Sequence, residues 1–188
     1  MYYINVSIEA LRAIVVIKDL CVLRKIIIIN DIKFKEFMRI RKFRNEDAIK
    51  ASNIIKKGFQ ISNARYYSKS SIKEQVEANS PKNLIEKAKK VHYFVAVKKD
   101  KIVGFGGYDN KKVHTLFVDL KEQRQGIGKK ILERILSEAK KDGITSLDTW
   151  STFHAEKFYD DFGFKKIKKF VLQCEKSSIE FVLMRKRI

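Results

Sequence analysis

The chain has one proline and eight glycines in 188 residues, so few positions are marked in advance as turns. Its two cysteines, Cys21 and Cys174, are far apart and have no metal-ligand spacing, so no disulfide framework is implied. Three histidines, His92, His114 and His154, form no zinc pattern, so no metal is expected. No uncharged apolar run reaches the roughly 20 residues of a membrane-spanning helix, and no membrane partner is expected. Internal repeats and low-complexity linkers are absent. Acid is scarce: 22 Asp and Glu stand against 41 Lys and Arg, a net charge of +19. One reading is a basic surface for nucleic acid or another acidic partner. The other is a lysine-rich composition that solvates the whole surface. The basic residues run along the entire chain, and the densest cluster, Lys165-Lys166-Ile167-Lys168-Lys169, alternates partly like a solvated strand face. No aromatic–basic interleaving that would stack bases is evident. The second reading is therefore favoured, with nucleic acid left possible.

What is present is a globular composition, 45% hydrophobic and 34% charged, at the length of one domain with a real core. A cytoplasmic protein is expected, monomeric or homodimeric. Residues 1–37 differ from the rest: they hold isoleucine and valine runs but no glycine and no proline. They are either an N-terminal extension or a translated upstream region before a natural start at Met38. Glu9 and Asp19 interrupt their apolar run, so they do not resemble a secretory signal.

From Met38 the elements alternate. Met38 to Arg41 alternates apolar and basic, as a strand does. Asn45 is a suitable N-cap for a helix to Lys57, ended by Gly58. Ser71 and Ser80-Pro81 look like helix starts. Tyr93–Val97 and Ile102–Phe105 form a hairpin around Lys99-Asp100. Gly104, Gly106 and Gly107 mark a bulge or a close approach. Val113–Val118 is a strand. The helix that follows carries Ile131, Leu132, Ile135, Leu136 and Ala139 on one face and ends at Gly143. Leu147–Ser151 is a strand, 155–162 a helix, and 165–174 and 179–185 two more strands. The class is α/β with a mixed sheet.

Between the strand Val113–Val118 and its helix lies Gln123-Arg124-Gln125-Gly126-Ile127-Gly128, followed by Lys129 and Lys130. Unpaired amides at a helix N-terminus, two glycines and added positive charge favour an anion, and a diphosphate is expected. The glycines are too close together for a P-loop. The next glycine, Gly143, is too distant for a dinucleotide fingerprint.

The pattern Gln/Arg-x-x-Gly-x-Gly, filled by Gln123, Gly126 and Gly128, resembles the acetyl-coenzyme A signature of the GNAT N-acetyltransferase superfamily. A second segment, Thr152-Phe-His-Ala-Glu-Lys-Phe-Tyr-Asp-Asp-Phe-Gly-Phe164, is similar to that family's Asn-x-x-Ala-x-x-Phe-Tyr-x-x-x-Gly-Phe. Ala155, Phe158, Tyr159, Gly163 and Phe164 match in order and spacing, while Thr152 stands where Asn is usual. The resemblance covers residues 38–188. It implies a mostly antiparallel mixed sheet, splayed at the cofactor site, with helices on both faces.

It further implies acetyl transfer from acetyl-coenzyme A to a primary amine of a small molecule or protein, by direct attack in a ternary complex. Gln123, Arg124, Gln125, Gly126, Ile127, Gly128 and Lys129 would hold the diphosphate. The backbone of Leu116, Phe117 and Val118 would pair with the pantetheine arm, and Thr152 would contact it. Tyr159 is the implied general acid for the leaving thiolate. For the base, His114 shares a face with Leu116 and Val118 by strand alternation, and its pKa range suits the task. Glu122 is the runner-up, and a water relay is a third route. Tyr66 and Tyr67, in a stretch similar to bacterial and archaeal GNAT proteins of unassigned substrate, wall an acceptor pocket or belong to the core. The alternative function is a GNAT-fold module that binds acyl-coenzyme A or nucleic acid without turnover.

Overall fold

The computed structural model describes residues 38–62, 64, 67–173 and 177–188. The two readings of residues 1–37 therefore lie outside the described residues. Seven strands form one sheet in the order β1-β2-β3-β4-β5-β7-β6. They are β1 (Met38–Lys42), β2 (His92–Lys98), β3 (Lys101–Tyr108), β4 (Lys112–Val118), β5 (Ser146–Ser151), β6 (Lys165–Gln173) and β7 (Ser178–Arg187). The β2–β3, β3–β4, β5–β7 and β6–β7 pairs are antiparallel, and β4–β5 is parallel. The helices are α1 (Ala48–Lys57), α2 (Lys69–Ala78), α3 (Pro81–Lys87), α4 (Ile127–Lys141) and α5 (Glu156–Asp161).

Helices cover both faces because β2 and β3 are apolar on both sides. On one face Ala51 and Ile55 of α1 and Leu84 of α3 pack against Tyr93, Val95 and Phe105. On the other, α4 buries Ile127, Ile131, Leu132, Ile135 and Ala139. Glycines let α4 approach closely: a Cβ at Gly104 or Gly106 would run into Ile131, and at Gly106 also into Leu116. The β2–β3 hairpin turns through Lys99 and Asp100, both left-handed (φ 49° and 57°), as a two-residue turn matched to strand twist requires. The lysine-rich β6 is an edge strand whose lysines are exposed, which discourages edge-to-edge pairing.

Three expected boundaries move. Asn45 does not cap α1; a 3-10 turn, Asn45–Asp47, precedes it, and the buried Asp47 carboxylate accepts the Arg44 N–H at 2.8 Å. Gly58 does not end the helix, which continues as a π-turn over Gly58–Ser62. Glycine is needed there because the Phe117 ring occupies the position of its Cβ. Helix α2 is capped by Ser68, whose hydroxyl accepts the Ser71 N–H at 3.0 Å; Ser71 is buried inside the first turn. Ser80 with Pro81 does open α3.

Arg41 of β1 grips Asp47 with two bonds of 2.7 and 2.8 Å. Burial alone would raise the Asp47 carboxyl, but the guanidinium and the Arg44 N–H outweigh it and hold it below the ordinary value of 3.8. A depressed carboxyl stabilises the fold above its unfolded pKa, and that contribution is lost as pH falls through the folded value. Asp47→Ala should lower stability by about 2 kcal/mol at neutral pH, with the gap to wild type closing in acid. Urea titrations at both pH values check this.

Candidate active site

Past β4 the chain turns through Asp119, whose carboxylate accepts the Lys121 N–H, and reaches Gln123–Gly126. Arg124 and Gly126 are left-handed, with φ of 61° and 75°. Gly126 caps α4 with no side-chain bond, so the first amides of this 15-residue helix have no side-chain acceptor. A Cβ at Gly126 would meet nothing within 4 Å. Glycine is required there by conformation, and the space above it is open. A Cβ at Gly128 would rest on Val118 and Phe158 at 3.6 and 3.7 Å. Lys98 of β2 braces the loop from below, donating to Glu122 and Gln125 at 2.7 Å each.

Strands β4 and β5 pair only at Lys112 with Asp148 and Val113 with Thr149. Beyond Val113 they part, and a cavity of about 820 Å³ fills the gap. Its walls include Leu116, Phe117 and Val118, then Gln123, Arg124, Gly126, Ile127, Gly128 and Lys129, with Thr152 opposite. Gln125 does not line it, because its side chain turns to Lys98. The Gln123 amide donates to the Val118 carbonyl at 3.4 Å.

Tyr159 also lines this cavity, from α5. The Gly163-Phe164 pair fixes its position. Gly163 is left-handed (φ 79°), its N–H bonds the Asp160 carbonyl at 2.8 Å, and the Phe164 N–H bonds the Tyr159 carbonyl at 3.1 Å. This is a Schellman closure of a short helix, with the buried Phe164 ring edge-on to Tyr159 at 5.5 Å. Burial raises the Tyr159 phenol, and a hydrogen bond from Thr149 on β5 only partly offsets this. The phenol is therefore protonated at neutral pH and able to donate.

His114 enters the same cavity from the other face of the sheet. Thr115 is left-handed (φ 43°) and forms a bulge: His114 pairs with Gly107, while Phe117 pairs with Phe105. His114 thus shares a face with Phe117 and not with Leu116 and Val118, correcting the simple alternation. Leu116 and Val118 point toward α4. Asp109, which the sequence reading missed, bonds His114 Nε2 at 2.7 Å and caps the turn by accepting the Lys111 and Lys112 N–H groups at 2.8 Å. Burial, helped by the Lys112 and Lys87 charges, lowers the His114 pKa; the hydrogen bond and charge of Asp109 raise it but only in part, so it stays below its ordinary 6.5. Burial raises Asp109, but the bonds from His114 and the backbone bring it below 3.8, so it is a carboxylate. A carboxylate only accepts, so Nε2 carries the proton and Nδ1 is left with a lone pair.

The remaining expectations divide. Glu122 lines the cavity but is ion-paired with Lys98 at 2.7 Å, which makes it a poor base. Tyr67 does not line the cavity. Its hydroxyl donates to the Glu180 carbonyl at 3.3 Å, its ring packs on Phe181, and burial lifts its pKa to about 12. Tyr66 lies outside the described residues. Gln75, Asn79, Lys112, Trp150 and Phe181 line the cavity with no motif to announce them. Among the described residues no cluster suits a metal, and no helix is long and apolar enough to cross a membrane.

The family model described as an acetyltransferase (GNAT) domain matches residues 55–188. The chain belongs to the GNAT acetyltransferase family. This GNAT enzyme is similar in fold to a GCN5-related N-acetyltransferase from Rhodopseudomonas palustris, with TM-score 0.75 and 16% identity over 81% of this chain and 96% of that one. It is also similar to the PaiA N-acetyltransferase of Thermoplasma acidophilum, solved in complex with coenzyme A, with TM-score 0.66 and 22% identity over 80% and 99% of the two chains. An N-acetyltransferase from Staphylococcus aureus Mu50 gives TM-score 0.58 and 19% identity over 80% and 98%. No curated protein matches the sequence.

If His114 serves as a base it must be unprotonated to act, and the acidic limb of kcat/KM should then fall below the ordinary histidine value of 6.5. Asp109 raises the His114 pKa, so Asp109→Asn should move that limb to lower pH and reduce kcat about tenfold or more. Rate measurements from pH 5 to 9 check both.

Proposed function

We propose that this acyltransferase is an N-acetyltransferase that moves an acetyl group from acetyl-coenzyme A to a primary amine in a ternary complex. The observation that carries the reading is the single cavity with an anion-ready turn at one end and two complementary proton carriers in its walls. The residues fit the donor: open space above Gly126, uncapped amides at the start of α4, and the charges of Arg124 and Lys129 suit a diphosphate.

Beyond Val113, β4 has no strand partner on its β5 side, so the backbone of Leu116, Phe117 and Val118 offers amides and carbonyls to the pantetheine arm. A backbone N–H of this stretch polarises the acyl carbonyl, in the manner of an oxyanion hole. Thr152 replaces a longer amide side chain beside the arm. Its hydroxyl sits 3.3 Å from His154 Nδ1. His114 Nδ1 takes the proton that the attacking amine must lose. The Tyr159 hydroxyl returns one to the departing thiolate. Asp109 holds the imidazole in the tautomer that leaves Nδ1 open.

Calorimetric titration with acetyl-coenzyme A tests the donor. Wild type should bind in the micromolar range and Gly126→Glu should not, because a carboxylate then occupies the diphosphate position. Failure of the wild type to bind would overturn the reading. Tyr159→Phe should bind the donor normally and lose about 100-fold in kcat, and unchanged turnover across pH would remove the general-acid role.

A further inference from the structure

The two walls of the cavity differ in charge. On the face toward α4, the lining carboxylates are each paired: Glu122 with Lys98, Glu133 with Lys129 and Asp161 with Lys157. On the opposite face, among the described residues, no carboxylate lines the cavity. Asp109 stands beside His114, and its oxygens are taken by His114 and two backbone amides. Glu74 and Glu180 are close in the fold but do not line the cavity.

This wall does hold a cation. Lys112 is half-buried, and its ammonium rests over the Trp150 ring at 3.5 Å. The Asp109 charge acts on it, but among the described residues its ammonium is in no close ion pair and no side-chain hydrogen bond. A half-buried ammonium normally has a carboxylate or several acceptors. An aromatic face holds it in place but leaves its N–H donors unused. Behind the wall a second cation, Lys87, donates to Asn79. Burial, then the neighbouring Lys112 charge, leaves Lys87 below its ordinary pKa, which records their mutual repulsion.

Lys112 and His114 are two residues apart on β4, before the bulge at Thr115, so they share a face. Their spacing along the strand is about 6.6 Å. Trp150 and Phe181, with ring centroids 6.2 Å apart, add an apolar wall beside them.

We infer that the acceptor is a small aminocarboxylate, an α-amino acid with an apolar side chain, whose carboxylate pairs with Lys112 while its amine faces His114. This deepens the proposed N-acetyltransferase reading and rests on it. The new bond joins the amine nitrogen to the acetyl carbonyl carbon, and the carbon–sulfur bond breaks. His114 takes the amine proton and Tyr159 supplies the thiol proton, so an N-acetyl amino acid and free thiol are the products. A polyamine brings further positive charge against Lys112 and Lys87 and is rejected.

The test is thiol release from saturating acetyl-coenzyme A with the twenty standard L-α-amino acids, spermidine and tryptamine as acceptors. The best amino acid is then compared with its own amide, which keeps amine and side chain but lacks the charge. At least one apolar amino acid should be turned over, and its amide should show a KM at least tenfold higher. Lys112→Met should raise KM for the amino acid by a similar factor and leave the KM for the amide unchanged. Its melting temperature and its affinity for acetyl-coenzyme A should match wild type. Turnover of spermidine or tryptamine but of no amino acid would overturn the inference and leave the N-acetyltransferase reading standing. An amide as good as its amino acid, or a Lys112→Met effect equal on both, would also overturn it. No binding of acetyl-coenzyme A and no turnover of any amine would sink both.

Discussion

Two rungs join β4 to β5, at Lys112–Asp148 and Val113–Thr149, and the rest of the site depends on the strands parting after them. Unpaired strand edges are costly in a folded interior unless water or a ligand supplies the missing bonds. Here the break opens a cavity through the middle of the sheet, in contact with helices of both layers. Phe117 helps hold it open. Its ring lies on the backbone of Gly58 and against Phe59 at 5.1 Å, so this half of β4 is tied to the π-turn after α1.

The bulge at Thr115 uses that gap. It turns His114 toward one face while Leu116 and Val118 point to the other. The proton-accepting and proton-donating candidates therefore reach one cavity from opposite sides of the sheet, which suits a reaction in which two substrates meet. Burial acts on both in the useful direction. It disfavours charge, so Tyr159 keeps its proton and His114 sheds one. The Asp109 carboxylate opposes the shift of His114 only in part, and fixes its tautomer.

Charge is distributed with equal economy. The net +19 is largely a solvated surface with local pairs, such as Lys165 with Asp160 and Lys166 with Glu156 on the edge strand. Such exposed pairs contribute little to stability. Among the described residues the lysines and arginines that line the cavity are Lys112, Arg124 and Lys129.

The sequence by itself determined much of this protein. Periodicity placed every strand within a few residues, because apolar alternation and runs report burial directly. The glycines of Gln123–Gly128 and the Gly163-Phe164 pair announce the turn that opens α4 and the end of the Tyr159 helix, because left-handed backbone restricts the residue type. Asn45 and Gly58 fail as boundary signals because contacts with other elements decide there, Arg41 of β1 gripping Asp47 and the Phe117 ring lying on Gly58, whereas at Ser71 a neighbouring serine, Ser68, takes the cap. The tertiary structure alone decided the face of His114, since a bulge at a threonine leaves no mark in composition. It alone joined Asp109 to His114, set Lys112 on Trp150 and turned Gln125 and Tyr67 away from the cavity. Those relations depend on how strands are registered and where they part. Long-range pairing energies set both, and no short window of residues encodes them.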